Sequence, residues 1–145
     1  MKHLMTTNSY NLARFIEAQE YNYPNALQEI RDGRKTSHWI WFIYPQMKGL
    51  GRSYNSQYYG ISFLEEARAY LAHPLLGMRL REITHALLTH KSESADKILG
   101  HIEALKVRSC MTLFDIIEPN TIFAEVLDSF YEGTRDNRTL QLTNN

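Results

Sequence analysis

The sequence contains one cysteine in 145 residues, so an intrachain disulfide is excluded. No apolar run approaches the roughly 20 residues that span a bilayer, and the first residues, MKHLMTTNSYN, lack the apolar core of a secretory signal. We therefore expect a cytoplasmic protein that does not enter a membrane. With 43% hydrophobic and 12% aromatic residues, the chain can bury a core within one domain.

A surplus of charge is also missing, because 16 basic residues balance 16 acidic ones. Nucleic-acid-binding proteins usually carry a basic surplus that neutralises phosphates, so the composition argues against nucleic acid as a partner. The local balance is uneven: residues 31–52 carry five basic residues and one acidic residue, whereas residues 115–132 carry five acidic residues and no Lys or Arg. These segments either neutralise one another in the fold or leave the surface polarised.

Apolar residues recur mainly at helical spacing, and strand-like alternation is scarce. The pattern predicts a mostly α, multihelical single domain over residues 9–142, with flexible termini at 1–8 and 143–145. Pro24 is expected to begin a new helix, because proline favours the first helical turn. Helices are predicted after an N-cap at Ser9, from Pro24 to Gly33, and at about 63–71, 76–87, 94–100, 102–117, 122–130 and 136–142.

One stretch interrupts the helical pattern. Residues 45–61, PQMKGLGRSYNSQYYGI, contain three glycines and a proline and show no sustained period, which predicts one long irregular loop. Such loops inside a compact domain are usually functional or disordered, and the three tyrosines favour order. The segment is interpreted either as a ligand or contact loop, or as a structural loop packed by its own tyrosines.

Residues 33–46, GRKTSHWIWFIYPQ, pass from a basic, hydroxyl-rich turn into an aromatic run. Whether residues 38–44 form a strand or a helix capped by Ser37, the run is apolar on all sides and belongs to the core. A buried tryptophan needs a partner for its N–H. A pocket with aromatic walls and polar groups at its rim is one interpretation, and a capped core helix with solvated cations is the other.

Lys106 is unusual in the predicted helix 102–117. At 100° per residue it lies inside the apolar arc, between Leu113 and Ile117, whereas Arg108 lies on the polar side. A buried unpaired ammonium is costly, so Lys106 should reach solvent or meet an anion. On this geometry Lys106 is a better ligand candidate than Arg108, and a structural ion pair is the alternative.

Several short motifs lack the partners that would make them functional. Ser94-Ala-Asp-Lys97 matches S-x-x-K without the other penicillin-binding motifs, so Ser94 is interpreted as a helix cap. Glu82-x-x-His85 has no second copy to complete a helical metal site, and we assign no metal. Cys110 lies on the apolar arc and is interpreted as a packed core thiol. The glycine-rich KGLGRS is neither a P-loop nor a Rossmann turn, and no cofactor is assigned.

Segments throughout the chain are similar to one known family. They are FIEAQ (15–19), ALQEIRDGRKTSHWIWFIYPQMKGLGRS (26–53), YYGI (58–61), EARAYLAHPLLGMRL (66–80), KVRSCMTLF (106–114) and DSFYEGTRDNRTL (128–140). Together they resemble the bacterial family called domain of unknown function 1810, over about residues 10–142. The resemblance implies a single-domain multihelical fold of overlapping helical bundles, with residues 38–44 helical. It brings no established catalytic residues.

We predict that the chain binds or processes a nucleotide-like or other phosphorylated small molecule, with stacking rings and cations that hold an anionic group. The alternative is a non-catalytic interaction module, in which residues 31–52 meet an acidic partner or residues 115–132 of another copy. Whether the chain is an enzyme, and its oligomeric state, stay open. His38 is the candidate general acid or base, because its ordinary pKa lies near neutrality. The predicted ligand-binding residues are Arg34, Lys35, Ser37, Trp39, Gln46, Arg52, Ser53, Tyr58, Lys106 and Arg108.

Overall fold

The computed structural model describes residues 10–144, and its regular elements are all helices. In that range the one pairing of β type is an isolated bridge between Met47 and Ile61. The predicted mostly α, multihelical fold is therefore confirmed. The helices are α1 (Ala13–Arg31), α2 (Ile40–Ile43), α3 (Tyr54–Tyr58), α4 (Leu64–Ala72), α5 (Leu76–Leu88), α6 (Ala95–Leu99), α7 (His101–Ile117), α8 (Ile122–Tyr131) and α9 (Asn137–Thr143).

Helix α7 is central to the packing. It contacts α2, α4, α6, α8 and α9, while α5 contacts α1, α4 and α8. A chain of ring contacts crosses the interior, with centroids 5.0 Å apart between Phe15 and Tyr70, and 5.7 Å apart both between Tyr70 and Phe114 and between Phe114 and Phe123. Helices α1, α4, α7 and α8 therefore share one hydrophobic core, which holds α2 and the segment after it in place.

Helix α1 continues through Pro24, so the prediction that a new helix begins there is wrong. Proline removes one helical hydrogen bond and crowds the preceding turn. Burial on both sides of Pro24 offsets this cost: Tyr23 and Leu27 are buried, and the Tyr23 hydroxyl donates to Glu82 at 2.5 Å. Tertiary packing of the apolar face thus keeps the helix intact across an exposed proline.

Two helix caps considered from the sequence have different outcomes. Helix α2 spans Ile40–Ile43, begins after Trp39 and has no side-chain cap, so the cap at Ser37 that accompanied the helical alternative is not formed. The resemblance had implied a helix in this stretch, and a short one is present. The predicted cap at Ser94 is confirmed, because its hydroxyl accepts the Lys97 N–H at 3.1 Å.

The segment 45–61 is ordered by backbone pairing and by a short helix. The Lys48 N–H donates to the Ile61 carbonyl at 2.8 Å, and the Ile61 N–H donates to the Gln46 carbonyl at 2.9 Å. Helix α3, which the sequence pattern did not predict, begins after Ser53, whose hydroxyl accepts a backbone N–H at 3.1 Å. The segment is thus closed into a loop whose two ends lie side by side.

The structure tests the predicted flexible termini only in part. Helix α9 includes Thr143, which the sequence analysis assigned to a flexible terminus. Residues 1–8 and the predicted cap at Ser9 lie outside the described residues. None of the helices between residues 10 and 144 is both long and apolar enough to cross a membrane.

Candidate functional site

A partly enclosed cavity of about 90 Å³ lies where the segment 45–61 meets α2 and α7. Its apolar wall consists of Trp41, Met47, Leu50 and Tyr59. Trp41 is half-buried, and Tyr59 packs its ring against Phe42 at a centroid distance of 5.4 Å. The two cavity-facing rings are therefore supported from behind by the core.

Polar groups line the rest of the cavity. The side chains are Gln46, Asn55, Ser56 and Lys106, and two glycines complete the lining. One of them, Gly60, lies against the neighbouring chain so closely that a Cβ atom there would approach the Lys48 Cα to 2.7 Å. Two amides, a hydroxyl and an ammonium thus face a space that is walled by aromatic rings.

Lys106 lies over Trp41 at the cavity wall. Its ammonium is 4.8 Å from the centroid of the Trp41 ring and 3.3 Å from Oε2 of Glu103, and 29% of its side chain is exposed. The prediction that Lys106 reaches solvent or meets an anion is therefore confirmed, and the pair with Glu103 is the structural ion pair that the sequence analysis gave as the alternative to a ligand role. An ammonium over an indole face is stabilised by the ring quadrupole, which holds the charge beside the cavity.

Glu103 is shared between two lysines. Its Oε1 lies 2.6 Å from the Lys35 ammonium, whose side chain is only 4% exposed and lies 4.6 Å from the centroid of Trp39. Its Oε2 faces Lys106. The two ammonium groups thus share one carboxylate, so Glu103 does not fully neutralise Lys106 at the cavity wall, which favours an anionic group in the cavity.

Glu29, which the sequence analysis did not single out, fixes the turn before α2. Its Oε1 accepts the backbone N–H of Thr36 at 2.7 Å, that of Ser37 at 3.0 Å, and the Trp39 indole N–H at 3.0 Å. Burial raises the pKa of this carboxyl, but the hydrogen bonds outweigh burial and bring the pKa to about 2. Trp39, 1% exposed, therefore supports the site from the core and does not line it.

Arg14 of α1 holds the loop wall from the other side. Its Nε donates to the Tyr58 carbonyl at 2.8 Å, and one terminal nitrogen donates to the Gly60 carbonyl at 3.1 Å and to Glu66 at 2.8 Å. The other terminal nitrogen donates to two carbonyls just before α1. All five guanidinium N–H groups are used, so this buried residue ties α1, α4 and the end of the loop together.

Comparison with known proteins identifies the family. Residues 9–143 match the sequence model of the family described as Protein of unknown function (DUF1810). The chain belongs to this family. It is also similar to the crystal structure of the conserved hypothetical protein Rv1873 from Mycobacterium tuberculosis, at 43% identity and a TM-score of 0.92, covering 94% of this chain and 99% of that chain. No match was found among curated proteins. The family resemblance seen in the sequence is thus confirmed.

Some of the predicted site residues meet at the cavity. Gln46 and Lys106 line it, and Lys35 lies behind Lys106 across their shared carboxylate. Arg52 and Ser53 are exposed and follow directly on a lining glycine, at the start of α3. These five positions come from two distant parts of the chain, and the fold brings them to one region.

Other predicted residues lie elsewhere. His38 and Arg34 are exposed and do not line the cavity, and Ser37 is engaged with the carboxylate of α1. Tyr58 lines a separate, more open concavity of about 330 Å³. Arg108 pairs with Asp136 at 3.6 Å, near α9. The roles predicted for these residues stay predictions.

The cavity also contains residues that the sequence analysis did not select. They are Trp41, Met47, Leu50, Gly51, Asn55, Ser56, Tyr59 and Gly60. All of them fall within the two segments that the sequence singled out, 33–46 and 45–61. The sequence therefore indicated the segments as a whole but not the individual lining residues. An irregular backbone has no period that would show which side chains point inward.

Metal and thiol chemistry have little support in the described part of the chain. Among residues 10–144 no group of three His, Cys, Asp or Glu side chains is arranged to hold a metal ion. Cys110 is fully buried in α7, and burial raises the pKa of its thiol well above the usual value. A protonated, enclosed thiol is a packing group, as the sequence predicted, and not a nucleophile.

Proposed function

We propose that this protein binds a small molecule with a flat ring and an anionic group in the cavity between the segment 45–61 and α7. The observation that supports this most is the position of Lys106 over Trp41 at the cavity wall. A ring placed beside Trp41 and Tyr59 would stack on their faces, and its anionic group would meet the ammonium. The sharing of Glu103 between Lys106 and Lys35 adds to this preference.

The size of the cavity limits what enters it. Typical ligand pockets measure about 300–1,000 Å³, whereas this cavity measures about 90 Å³. It therefore suits a single ring or one anionic group, and the rest of a nucleotide-sized ligand would lie outside. The amides of Gln46 and Asn55 offer both donors and acceptors to the edge of a ring.

The proposal covers ligand binding and does not include a chemical reaction. His38 is exposed and is not among the cavity-lining residues, so its role as a general acid or base stays a prediction. A cytoplasmic location is part of the proposal, and the lone buried cysteine supports it because no intrachain disulfide is possible.

The alternative of an interaction module has weaker support. Two carboxylates of the acidic segment 115–132 are engaged within the chain, Glu118 with Arg81 at 2.6 Å and Asp115 with Arg135 at 3.2 Å. Carboxylates that are already paired within the chain attract a basic partner less strongly. If no small molecule binds in the screen described next, the interaction module becomes the favoured alternative.

A thermal-shift screen tests the proposal. The compounds are mononucleotides, sugar phosphates and aromatic carboxylates, and the proteins are the wild type, Lys106→Met and Lys97→Met. Lys97 is a matched control, because it also pairs with a glutamate of its own region, Glu93, at 2.9 Å, but lies far more exposed on α6. A ligand present at 100 times its Kd should stabilise the wild type by about 2.7 kcal/mol.

The variants determine how a stabilising compound is interpreted. We expect Lys106→Met to lose most of the stabilisation and Lys97→Met to retain it. If no compound stabilises the wild type, or if both variants respond as the wild type does, the proposed site is wrong.

A further inference from the structure

Two tyrosines form an exposed stack just outside the cavity. The Tyr54 and Tyr58 ring centroids are 5.6 Å apart and their planes differ by 9°. Both rings face solvent, with 74% of Tyr54 and 41% of Tyr58 exposed. Both belong to α3, the helix whose Asn55 and Ser56 side chains line the cavity.

The stack adjoins the cavity around the surface of α3. Tyr59, a ring of the cavity wall, meets Tyr58 edge to face at a centroid distance of 4.9 Å. In helical projection the cavity-lining residues Asn55, Ser56 and Tyr59 lie about 60–160° around the helix from Tyr54 and Tyr58. The stack is therefore on another face of α3 and meets the cavity wall through the ring of Tyr59.

The surroundings of the stack are basic. Residues 33–64 contain no Asp or Glu. Lys35 has its charge compensated by a glutamate of α7, whereas Arg34, Lys48 and Arg52 are exposed and make no ion pair among residues 10–144. In the chain Arg52 lies between a glycine that lines the cavity and Tyr54 of the stack. Along the chain, an exposed cation therefore lies between two places that can take a ring.

We propose that the ligand is a dinucleotide in which two nucleosides are joined by a pyrophosphate. One base occupies the cavity, the pyrophosphate meets Arg52, and the second base stacks on Tyr54. This inference rests on the proposed function, and it accounts for a cavity sized for one ring whose wall contacts an exposed aromatic stack, with an exposed cation between the two in the sequence. The formal net charge of zero argues against a longer phosphodiester chain.

Calorimetric titrations of the full chain test this inference. The probes are diadenosine diphosphate, adenosine monophosphate and the phosphodiester-linked dinucleotide ApA. The proteins are the wild type, Tyr54→Ala and Tyr21→Ala. Tyr21 is the matched control, because it is also a highly exposed tyrosine but lies on α1 and lines none of the described concavities.

We expect diadenosine diphosphate to bind the wild type at least about tenfold more tightly than adenosine monophosphate, the gain expected from stacking one further base. Tyr54→Ala should remove most of that gain and leave monophosphate binding unchanged, while Tyr21→Ala should change neither.

Three results would contradict different parts of this inference. Equal affinity for both probes, or equal weakening of both by Tyr54→Ala, overturns the second ring site and leaves the proposed function intact. If ApA shows the same gain, selection of a pyrophosphate is wrong. If none of the three probes binds, the dinucleotide assignment fails, and the thermal-shift screen then decides separately whether the cavity binds another ring-bearing anion.

Discussion

Glu29 is the residue on which the turn before α2 most depends. One carboxylate oxygen accepts three N–H groups, two from the backbone of Thr36 and Ser37 and one from the indole of Trp39. The other oxygen accepts from Asn25 at 2.7 Å. Hydrogen bonds to a buried ionised group are stronger than neutral ones, so the charge of Glu29 should contribute to the stability of the turn.

Replacing Glu29 by glutamine should lower the free energy of unfolding at pH 7 by on the order of 2 kcal/mol, because the ionised acceptor is lost. The folded-state pKa, about 2, lies below the ordinary value of 4.5. The stabilisation is therefore present above the unfolded-state pKa and is lost as the pH falls from about 5 toward 2. Urea unfolding of the wild type and Glu29→Gln at pH 7 and pH 3 measures this. A difference between the two proteins that does not shrink at pH 3 would contradict the role of the charge.

At the same scale, the sequence predicted Lys106 but not Glu29. Helical periodicity is sufficient to show that Lys106 lies on an apolar arc and must reach solvent or meet an anion. The partners of Glu29 are N–H groups seven to ten residues later, and their position depends on how the turn folds back. The same turn places the Ser37 N–H on that carboxylate, and α2 begins only after Trp39, two residues later.

Among the elements, α1 carries an exposed proline in its interior. The missing N–H of Pro24 leaves the carbonyl one turn earlier without its helical donor. Because Pro24 lies on the solvent side, its ring contributes no core packing to offset this cost.

The substitution Pro24→Ala should therefore raise the free energy of unfolding by about 1–3 kcal/mol. Glu20→Ala, at another exposed position of α1, is the control and should change it by no more than about 0.5 kcal/mol. Chemical denaturation of the three proteins checks this. A neutral or destabilising effect of Pro24→Ala would show that α1 needs the local bend of the proline.

The connection between α1 and the loop depends on Arg14. Arg14→Lys keeps a positive charge beside Glu66 but cannot reproduce the fork that holds the carbonyls of Tyr58 and Gly60. We expect a loss of about 2–4 kcal/mol in the free energy of unfolding. The loss should be accompanied by local loosening of the loop.

Hydrogen exchange separates local loosening from a global effect. In Arg14→Lys the backbone N–H groups of Lys48 and Ile61, which pair the two ends of the loop, should exchange faster relative to those of α7. If all regions lose protection equally, Arg14 stabilises the whole fold and does not specifically position the cavity wall.

The elements that the sequence predicted are those with a clear period. Helices α4, α5, α7 and α8 each show an apolar stripe, and their observed bounds lie close to the predicted ones. Helix α3 was missed because five residues with two exposed tyrosines show no apolar stripe. The prediction at Pro24 was wrong because packing of α1 against α5 outweighed the local preference of proline.

At the scale of the whole molecule, the cavity is a product of tertiary structure. Its walls come from α2 and the adjoining segment 45–61 and, far along the chain, from Lys106 of α7. A sequence pattern can show that each of these segments is unusual, but it cannot show that Lys106 lies next to Trp41. For that reason the candidate segments could be predicted, whereas most of the individual lining residues could not.

The charge distribution also emerges only from the fold. The basic segment 31–52 and the acidic segment 115–132 do not pair with one another among residues 10–144: their ion pairs go to α5, α7 and the region after α8. The two segments therefore do not neutralise one another, and other residues pair with part of each. Arg34, Lys48 and Arg52 of the basic segment stay exposed and make no ion pair among residues 10–144.

The most direct test of the ligand site uses the two tryptophans as separate reporters. Nitrogen-15-labelled protein is titrated with the compound that stabilises it most in the thermal screen, and the two indole N–H signals are assigned with Trp41→Phe. We predict a progressive shift of the Trp41 signal, because this ring lines the cavity. The Trp39 signal, whose N–H is bonded to Glu29, should move little. A bound ligand that leaves the Trp41 signal unmoved would contradict the proposed site.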